Sequence, residues 1–205
     1  LVFNSSTAAI SGGNSDFLEV HGSLTTAGLN NFSSFTGTSE FRNNSTGDGD
    51  TLICDGCDTV KFFGPVKLEF PGNTWVMQDH LKVVDNSDKK RGDFTITRGT
   101  FNANGFDLHI ESDFNNSANG AFTHGTGELR MIDASSSSVK MDGSGTIYDL
   151  VIDKSAASNI TSIGSLVTVT NFLDLSNLGV VEMSSDNDTL ILADGATTSG
   201  ASNNS

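Results

Sequence analysis

Apolar residues recur along the chain in short bursts, in which they alternate with polar residues. The clearest bursts are Phe94 and Ile96; Phe106, Leu108 and Ile110; Leu129 and Met131; Leu150 and Ile152; Val167 and Val169; and Leu190 and Leu192. Alternation with a period of two predicts β-strands that bury one face. No stretch has the sustained i, i+3, i+4, i+7 spacing of an amphipathic helix, so the pattern predicts an all-β fold.

Clusters of Gly, Asn, Asp, Ser and Thr separate these bursts. They lie at 102–105, 115–120, 125–127, 142–145 and 184–188. Such residues tolerate positive φ or hydrogen-bond to their own backbone, so we expect turns there. The bursts recur about every 8 to 12 residues, a spacing typical of a sandwich, a barrel or a β-solenoid.

Similar sequence segments recur along the chain, and this recurrence favours the solenoid. The segment 99–110 introduces one strand in the way that 143–152 introduces another, and 1–20 loosely repeats 129–152. Stacked repeat units leave such self-similarity, because each coil buries its apolar residues only against its neighbours. With about 20 to 30 residues per coil, the chain would form about seven to ten coils. We therefore predict an all-β β-solenoid, a right-handed parallel β-helix, with a β-sandwich as the alternative.

Composition narrows the class of protein. The 205 residues include 27 Ser, 21 Thr, 19 Asn and 22 Gly, with 19 Asp against 6 Glu. Ser, Thr, Asn, Gly and Asp favour turns and strand edges, whereas Glu is typical of surface helices. The formal net charge is −14 with only 11 Lys and Arg, which argues against a nucleic-acid partner. No apolar run has the length of a membrane span, so we expect no membrane insertion.

The chain divides into three predicted segments. Residues 1–71 form N-terminal β coils, interpreted as a modified, Phe-rich cap that holds both cysteines. Pro65 and Pro71 mark its end, since proline cannot donate to a β-ladder. Residues 72–194 form the β-helical repeat region. Residues 195–205, which have no apolar residue beyond Ala, are predicted to be a polar linker or tail.

Three segments, 105–110, 122–131 and 143–152, resemble the degenerate repeats of parallel β-helix proteins of phage tail fibres and bacterial surface adhesins. The resemblance covers about residues 72 to 195 well and 1–71 loosely. It implies an architecture and a setting on a virion surface or outside the cell. It transfers no functional residues.

Cys54 and Cys57 form the most noticeable local motif, a Cys-x-x-Cys pair. A zinc site would need two further ligands, and a redox dithiol would need a βαβ context that the pattern does not predict. A disulfide that staples a turn, or a packed pair of free thiols, is the favoured reading.

Four carboxylates lie close together in the same region, on Asp48, Asp50, Asp55 and Asp58. Clustered aspartates on a loop are typical calcium ligands, although the spacing is not that of an EF-hand. The cluster is a weak calcium candidate beside the alternative of a solvated acidic turn. We expect no other cofactor.

Eight Asn-x-Ser/Thr sequons mark surface turns that a glycosylating host could modify. They are Asn4, Asn31, Asn43, Asn44, Asn115, Asn159, Asn187 and Asn203. The excess over chance is small in a chain this rich in Asn, Ser and Thr.

The sequence favours a structural or adhesive protein rather than an enzyme. The first hypothesis is a segment of a phage tail fibre or similar virion appendage that contacts a host surface or glycans. A bacterial or archaeal cell-surface adhesin or filament subunit is the alternative. A polysaccharide-degrading β-helix enzyme is the second alternative, because stacked coils could bring together Asp107, Glu111, Asp113 and Glu128. We expect self-association or flanking domains of the same chain, since an open ladder end invites pairing.

Overall fold

The computed structural model describes residues 2–3, 11–13, 15–27, 34–42, 50–55, 59–85, 92–133, 136–177 and 179–200. Within these ranges the chain forms 21 strands and no helix. The first ten are β1 (Val2–Phe3), β2 (Ser11–Gly12), β3 (Phe17–His21), β4 (Leu24–Ala27), β5 (Ser34–Phe35), β6 (Thr38–Arg42), β7 (Asp50–Asp55), β8 (Thr59–Phe63), β9 (Val66–Met77) and β10 (His80–Val84). The others are β11 (Phe94–Asn102), β12 (Leu108–Ile110), β13 (Phe114–Thr123), β14 (Glu128–Asp133), β15 (Ser137–Met141), β16 (Ser144–Gly145), β17 (Ile147–Lys154), β18 (Ile160–Asp174), β19 (Val180–Met183), β20 (Thr189–Leu192) and β21 (Thr197–Ser199).

The strands pair in parallel, each with a strand one turn further along the chain, and they build three faces. Face 1 contains β3, β6, the first parts of β9, β11 and β13, then β15, the start of β18, and β19. Face 2 contains β1, β4, β7, the second parts of β9, β11 and β13, then β16, the middle of β18, and β20. Face 3 contains β8, β10, β12, β14, β17, the end of β18, and β21. β2 and β5 form a separate parallel pair.

The chain is a parallel β-solenoid of about seven turns, which confirms the predicted fold and excludes the sandwich. One turn takes between 20 and 28 residues: Phe94 pairs with Phe114, 20 positions on, and Val66 pairs with Phe94, 28 positions on. At the usual spacing of about 4.8 Å between strands, seven steps give a rod about 34 Å long. The right-handed sense stays a prediction.

The corner between faces 1 and 2 differs from the expected turn. Residues 115–120 were expected to form a turn, and that expectation is wrong, because they lie inside β13. The ladder between β11 and β13 continues around the corner, and a register shift between Ile96 and Arg98 accommodates the bend. The expected turns at 102–105 and 184–188 are confirmed: Asn104 and Gly105 have φ of 53° and 82°, and a turn follows β19.

Aromatic side chains fill the central part of the core in columns that follow the register. Phe94 stacks on Phe114 with ring centroids 6.0 Å apart and planes 3° apart. Phe101 stacks on Phe122 at 5.8 Å and 12°. Parallel in-register strands place the same side-chain position of successive coils directly above one another, so like residues stack. Trp75 lies next to Phe101 and is fully buried.

The last described coil leaves its core positions uncovered. Met183 pairs with Ile163, and Leu192 pairs with Val169. Ile163 and Val169 are fully buried, whereas Met183 and Leu192 are 43% and 40% exposed. The core columns therefore continue into this coil but have no layer above them among the described residues.

The predicted division into three segments stays a prediction. β9 crosses position 71 and pairs with β11 on both sides of it. β21 lies at 197–199 and pairs with the end of β18.

Candidate functional site

Four consecutive strands of face 3 share one side-chain pattern. Each places a charged or imidazole side chain before a buried leucine, as in His80-Leu81, Asp107-Leu108, Glu128-Leu129 and Asp149-Leu150. The four leucines are at most 1% exposed. Because side chains alternate along a strand, the residues on both sides of each leucine point away from the core.

The register aligns these outward side chains into two columns. The first column contains His80, Asp107, Glu128 and Asp149, and the second contains Lys82, His109 and Arg130. The first column is mainly acidic and the second is basic. Neighbouring strands are about 4.8 Å apart, so opposite charges of the two columns meet across the coils.

A group of three side chains lies at the centre of these columns. The metal-ligating atoms of Asp107, His109 and Glu128 all lie within 4.8 Å of one another. His109 Nε2 is 3.0 Å from Glu128 Oε1. The backbone N–H of Glu128 donates to Asp107 Oδ1 at 3.0 Å. All three residues are half-buried, so the group is ordered by its neighbours and still reachable from solvent.

Arg130 fixes the Glu128 carboxylate from the other side. Its Nε donates to Glu128 Oε1 at 2.6 Å, and its Nη2 donates to Oε2 at 3.1 Å. Its Nη1 donates to Asp153 Oδ2 at 2.8 Å. The hydrogen bonds from His109 and Arg130 lower the pKa of Glu128 to about 2 against the opposing effect of burial. They stabilise the ionised carboxylate, which therefore persists at neutral pH.

His80 supports Asp107 from the preceding coil. The backbone N–H of Asp107 donates to His80 Nδ1 at 2.9 Å. The same nitrogen lies 3.1 Å from Asp107 Oδ2, and the imidazole meets the edge of the Phe106 ring at 5.5 Å. Because Nδ1 accepts the backbone N–H, it donates nothing to the Asp107 carboxylate; His80 is held by the Asp107 backbone and by the Phe106 ring.

A second charged group lies at the corner that joins face 3 to face 1. Lys154 is only 2% exposed, and its Nζ donates to the carbonyl oxygens of Ile132, at 2.9 Å, and Glu111, at 3.4 Å. Burial lowers the pKa of Lys154 to about 8 despite the nearby carboxylates of Asp133, Asp85, Asp113 and Glu111. Burial also raises the pKa of Glu111. The corner therefore holds a buried lysine that is still mostly protonated at neutral pH and loses its proton at mildly alkaline pH.

The structure separates the four carboxylates proposed for an enzyme into two places. Asp107 and Glu128 belong to the group around His109. Glu111 and Asp113 lie beyond the end of β12, where Glu111 Oε2 accepts from the Asp85 N–H and Asp113 Oδ1 accepts from the Ser138 N–H.

The predicted calcium and cysteine sites lie mostly outside the described residues. Asp48, Asp58 and Cys57 are outside them, and so are the side chains of Cys54 and Asp55 in β7. Asp50 begins β7 and is half-buried. The calcium site and the disulfide stay predictions.

Three of the eight predicted glycosylation sites fall on described residues. Asn187 is exposed in the turn after β19, Asn115 is half-buried in β13, and Asn159 is 9% exposed with its Nδ2 donating to the Asp133 carbonyl at 3.5 Å. Asn4, Asn31, Asn43, Asn44 and Asn203 lie outside the described residues. Of the three, Asn187 best meets the requirement for an accessible amide.

Sequence reasoning named Asp107 and Glu128 as possible neighbours but missed His109 and Arg130 beside them, although a signal exists. Asp107-Leu108-His109-Ile110 and Glu128-Leu129-Arg130-Met131 have the same alternation, 21 positions apart. That offset equals the length of this coil, since Leu108 pairs with Leu129. Aligning segments 107–110 and 128–131 would have placed His109 beside Glu128 and Arg130.

Comparisons with protein-family models, curated proteins and solved structures give no significant match for this chain. The resemblance to fibre and adhesin repeats therefore rests on the sequence segments alone. In the described part of the chain, no helix of a length and apolarity suited to crossing a membrane occurs.

Proposed function

We propose that this chain is a structural and adhesive β-solenoid segment of a surface appendage, a stiff rod that contacts a host surface or glycans and performs no catalysis. The observation that supports it most is the parallel ladder, which runs through about seven turns over continuous apolar columns. Such a ladder resists bending because hydrogen bonds and core contacts join each coil to the next. Rigidity combined with a polar surface suits a spacer that displays binding surfaces.

The uncovered core positions of the last described coil support assembly of the rod into a longer fibre. Met183 and Leu192 occupy core positions and are 43% and 40% exposed. An exposed strand edge next to apolar side chains pairs readily with further β-structure. We expect a second copy of the chain, or a flanking domain of the same chain, to cover this end, and multiple copies would raise weak surface contacts to useful avidity.

The charges around Glu128 favour a non-catalytic role over glycoside hydrolysis. A glycosidase needs one carboxyl of raised pKa as the general acid, paired with a second carboxylate. Asp107 and Glu128 have a suitable proximity, but His109 and Arg130 lower the pKa of Glu128 to about 2. Glu128 therefore has no proton to donate at neutral pH.

Incubation with a panel of acidic and neutral polysaccharides tests this proposal. We expect retention of the protein on one or more polysaccharides or host cells, without release of reducing or unsaturated ends. Release of such ends by the wild-type protein, and its loss in Glu128→Gln, would overturn the non-catalytic role and favour the polysaccharide-degrading alternative.

Finding the protein on virions or on cell surfaces would decide which type of appendage it belongs to. A phage tail fibre or similar virion appendage is the first candidate, because the repeats resemble those of such fibres; a bacterial or archaeal surface adhesin is the alternative. Immunogold labelling of purified virions should show the protein on a fibre. Labelling confined to cell surfaces would favour the adhesin.

A further inference from the structure

We propose that Asp107, His109 and Glu128 form a binding site for a divalent transition-metal ion, with Zn²⁺ as the ion best matched to the three side chains. The inference is independent of whether the rod binds glycans. It rests on the arrangement of two carboxylates and one imidazole: Asp107 immediately precedes β12, His109 lies in β12, and Glu128 begins the adjacent strand β14.

The three ligand atoms lie near enough for small side-chain rotations to bring them to one ion. Zn²⁺ binds imidazole nitrogen and carboxylate oxygen at about 2.0 to 2.2 Å, so ligand atoms in a tetrahedral site lie about 3.4 Å apart. The three ligand atoms here lie within 4.8 Å of one another. Without metal, His109 Nε2 donates to Glu128 Oε1 at 3.0 Å; metal binding breaks this hydrogen bond, and the imidazole proton then lies on Nδ1 while Nε2 ligates the ion. Small side-chain rotations complete the geometry, since the two strands are fixed by the ladder. A fourth position stays open for water.

The ligands are held by a second layer of contacts. The Glu128 N–H donates to Asp107 Oδ1, which leaves Oδ2 as the other ligating oxygen. His80 Nδ1 accepts the Asp107 backbone N–H at 2.9 Å from the preceding coil, which fixes the backbone that carries this ligand. Outer contacts of this kind orient ligating residues in known metal sites and raise their affinity.

Arg130 competes with a metal ion for the Glu128 carboxylate, but Arg130 also has a second partner. Its Nη1 already donates to Asp153 Oδ2 at 2.8 Å. When a cation takes over the Glu128 carboxylate, Arg130 can keep this bond and move away from the metal. Arg130 thus limits the affinity of the site, and two ionised carboxylates still offset the charge of a divalent ion.

The ligand chemistry selects the class of metal. Imidazole suits Zn²⁺ and its first-row neighbours, whereas Ca²⁺ and Mg²⁺ prefer six or more oxygen ligands. The group offers one nitrogen and two carboxylates on a rigid surface. We therefore expect Zn²⁺ and Co²⁺ to bind and Ca²⁺ to bind much more weakly.

Isothermal titration of the purified protein with ZnCl₂ tests the site, with His109→Ala and Asp107→Asn as the test variants. Asp107→Asn keeps an oxygen to accept the Glu128 N–H but removes the charge. His21→Ala is the matched control, because the His21 side chain is 58% exposed and lies 2.7 Å from a single carboxylate, on Glu19. Circular dichroism should show that all variants keep the β-sheet signal.

We expect saturable Zn²⁺ binding near one ion per chain. His109→Ala and Asp107→Asn should each weaken it by about tenfold or more, since even the loss of an outer contact costs 10- to 100-fold. His21→Ala should leave it unchanged. Visible absorption of bound Co²⁺ should show four- or five-coordination and disappear in His109→Ala. No saturable Zn²⁺ binding by wild-type protein, equal binding by all variants, or Ca²⁺ binding as tight as Zn²⁺ would overturn the proposal.

Discussion

Gly99 lies at the corner between faces 1 and 2, where the chain cannot accept a side chain. Its φ is +80°, a conformation that costs L-residues energy, and a Cβ there would lie 2.0 Å from the Phe70 carbonyl oxygen. Gly72 offers a close comparison. Its φ is +75°, but no atom lies within 4 Å of the position of its Cβ.

Substitution of these two glycines should separate backbone strain from steric exclusion. Gly72→Ala should cost about 1 kcal/mol of unfolding free energy, from the positive φ alone. Gly99→Ala should cost about 3 kcal/mol or more, because the backbone of the neighbouring coil must also move. Urea denaturation measures both, and equal costs would contradict the tight corner.

Glu128 should make stability depend on pH in the acid range. Its folded pKa, lowered to about 2, lies below the ordinary value of 4.5. Its stabilisation is therefore fully present above about pH 4.5 and is lost as the pH falls towards 2. The loss is about 2 kcal/mol once solvent screening is allowed for. The difference in unfolding free energy between wild type and Glu128→Gln should shrink over this window, and a constant difference would contradict the ion-pair network.

At the scale of the element, the aromatic columns tie successive coils together. Phe114 is fully buried and stacks on Phe94 of the preceding coil. Phe114→Ala should cost about 3 to 5 kcal/mol, as expected for removal of a buried ring. Phe17 of β3, 53% exposed, is the control, and Phe17→Ala should change stability by less than about 0.5 kcal/mol. Similar losses for both variants would show that the columns do not determine stability.

The corner that holds Lys154 should respond to alkaline pH. The pKa of Lys154 is lowered to about 8 in the folded protein from an ordinary value of 10.5. The unfolded chain binds the extra proton between these values, so the unfolding free energy should rise as the pH increases from 8 to 10.5. The rise is about 3 kcal/mol at most.

Lys154→Met is the matched control for this rise, because it fills a similar volume without a titratable group. Its unfolding free energy should lack the alkaline increase. An increase of equal size in the variant would show that other groups cause it.

The sequence correctly predicted that the elements are β-strands and which of their side chains are buried. The alternation at Leu129 and Met131 and at Leu150 and Ile152 corresponds to buried positions of β14 and β17. It did not predict strand length. β18 runs for 15 residues and serves all three faces, because the ladder continues through its corners.

The sequence grouped Asp107 and Glu128 only within a larger set of carboxylates, because the composition of the site depends on register. Asp107 and Glu128 meet only if their coil has 21 residues, and the coils range from 20 to 28. A shift of one position would move these side chains out of their columns. Local alternation fixes which residues point outward, whereas the length of each turn fixes which outward residues become neighbours.

At the scale of the molecule, the described coils form a rod about 34 Å long, and the last described coil has an uncovered core layer. Met183 and Leu192 continue columns that are closed elsewhere by the next coil. The structural role proposed for the chain requires this end to meet more β-structure. Association should therefore depend on the core positions of the last coil and not on its outer surface.

Small-angle X-ray scattering over a concentration series tests most directly whether the chain is a rod that associates through its last described coil. We predict an elongated particle of constant cross-section whose length grows with concentration in steps of about 34 Å. Met183→Lys should stop the growth, because it places a charge on the uncovered layer. Ile191→Lys, at an exposed position between Leu190 and Leu192, should leave it intact. A compact particle whose scattering does not change with concentration, or equal effects of the two variants, would contradict the rod and its open end.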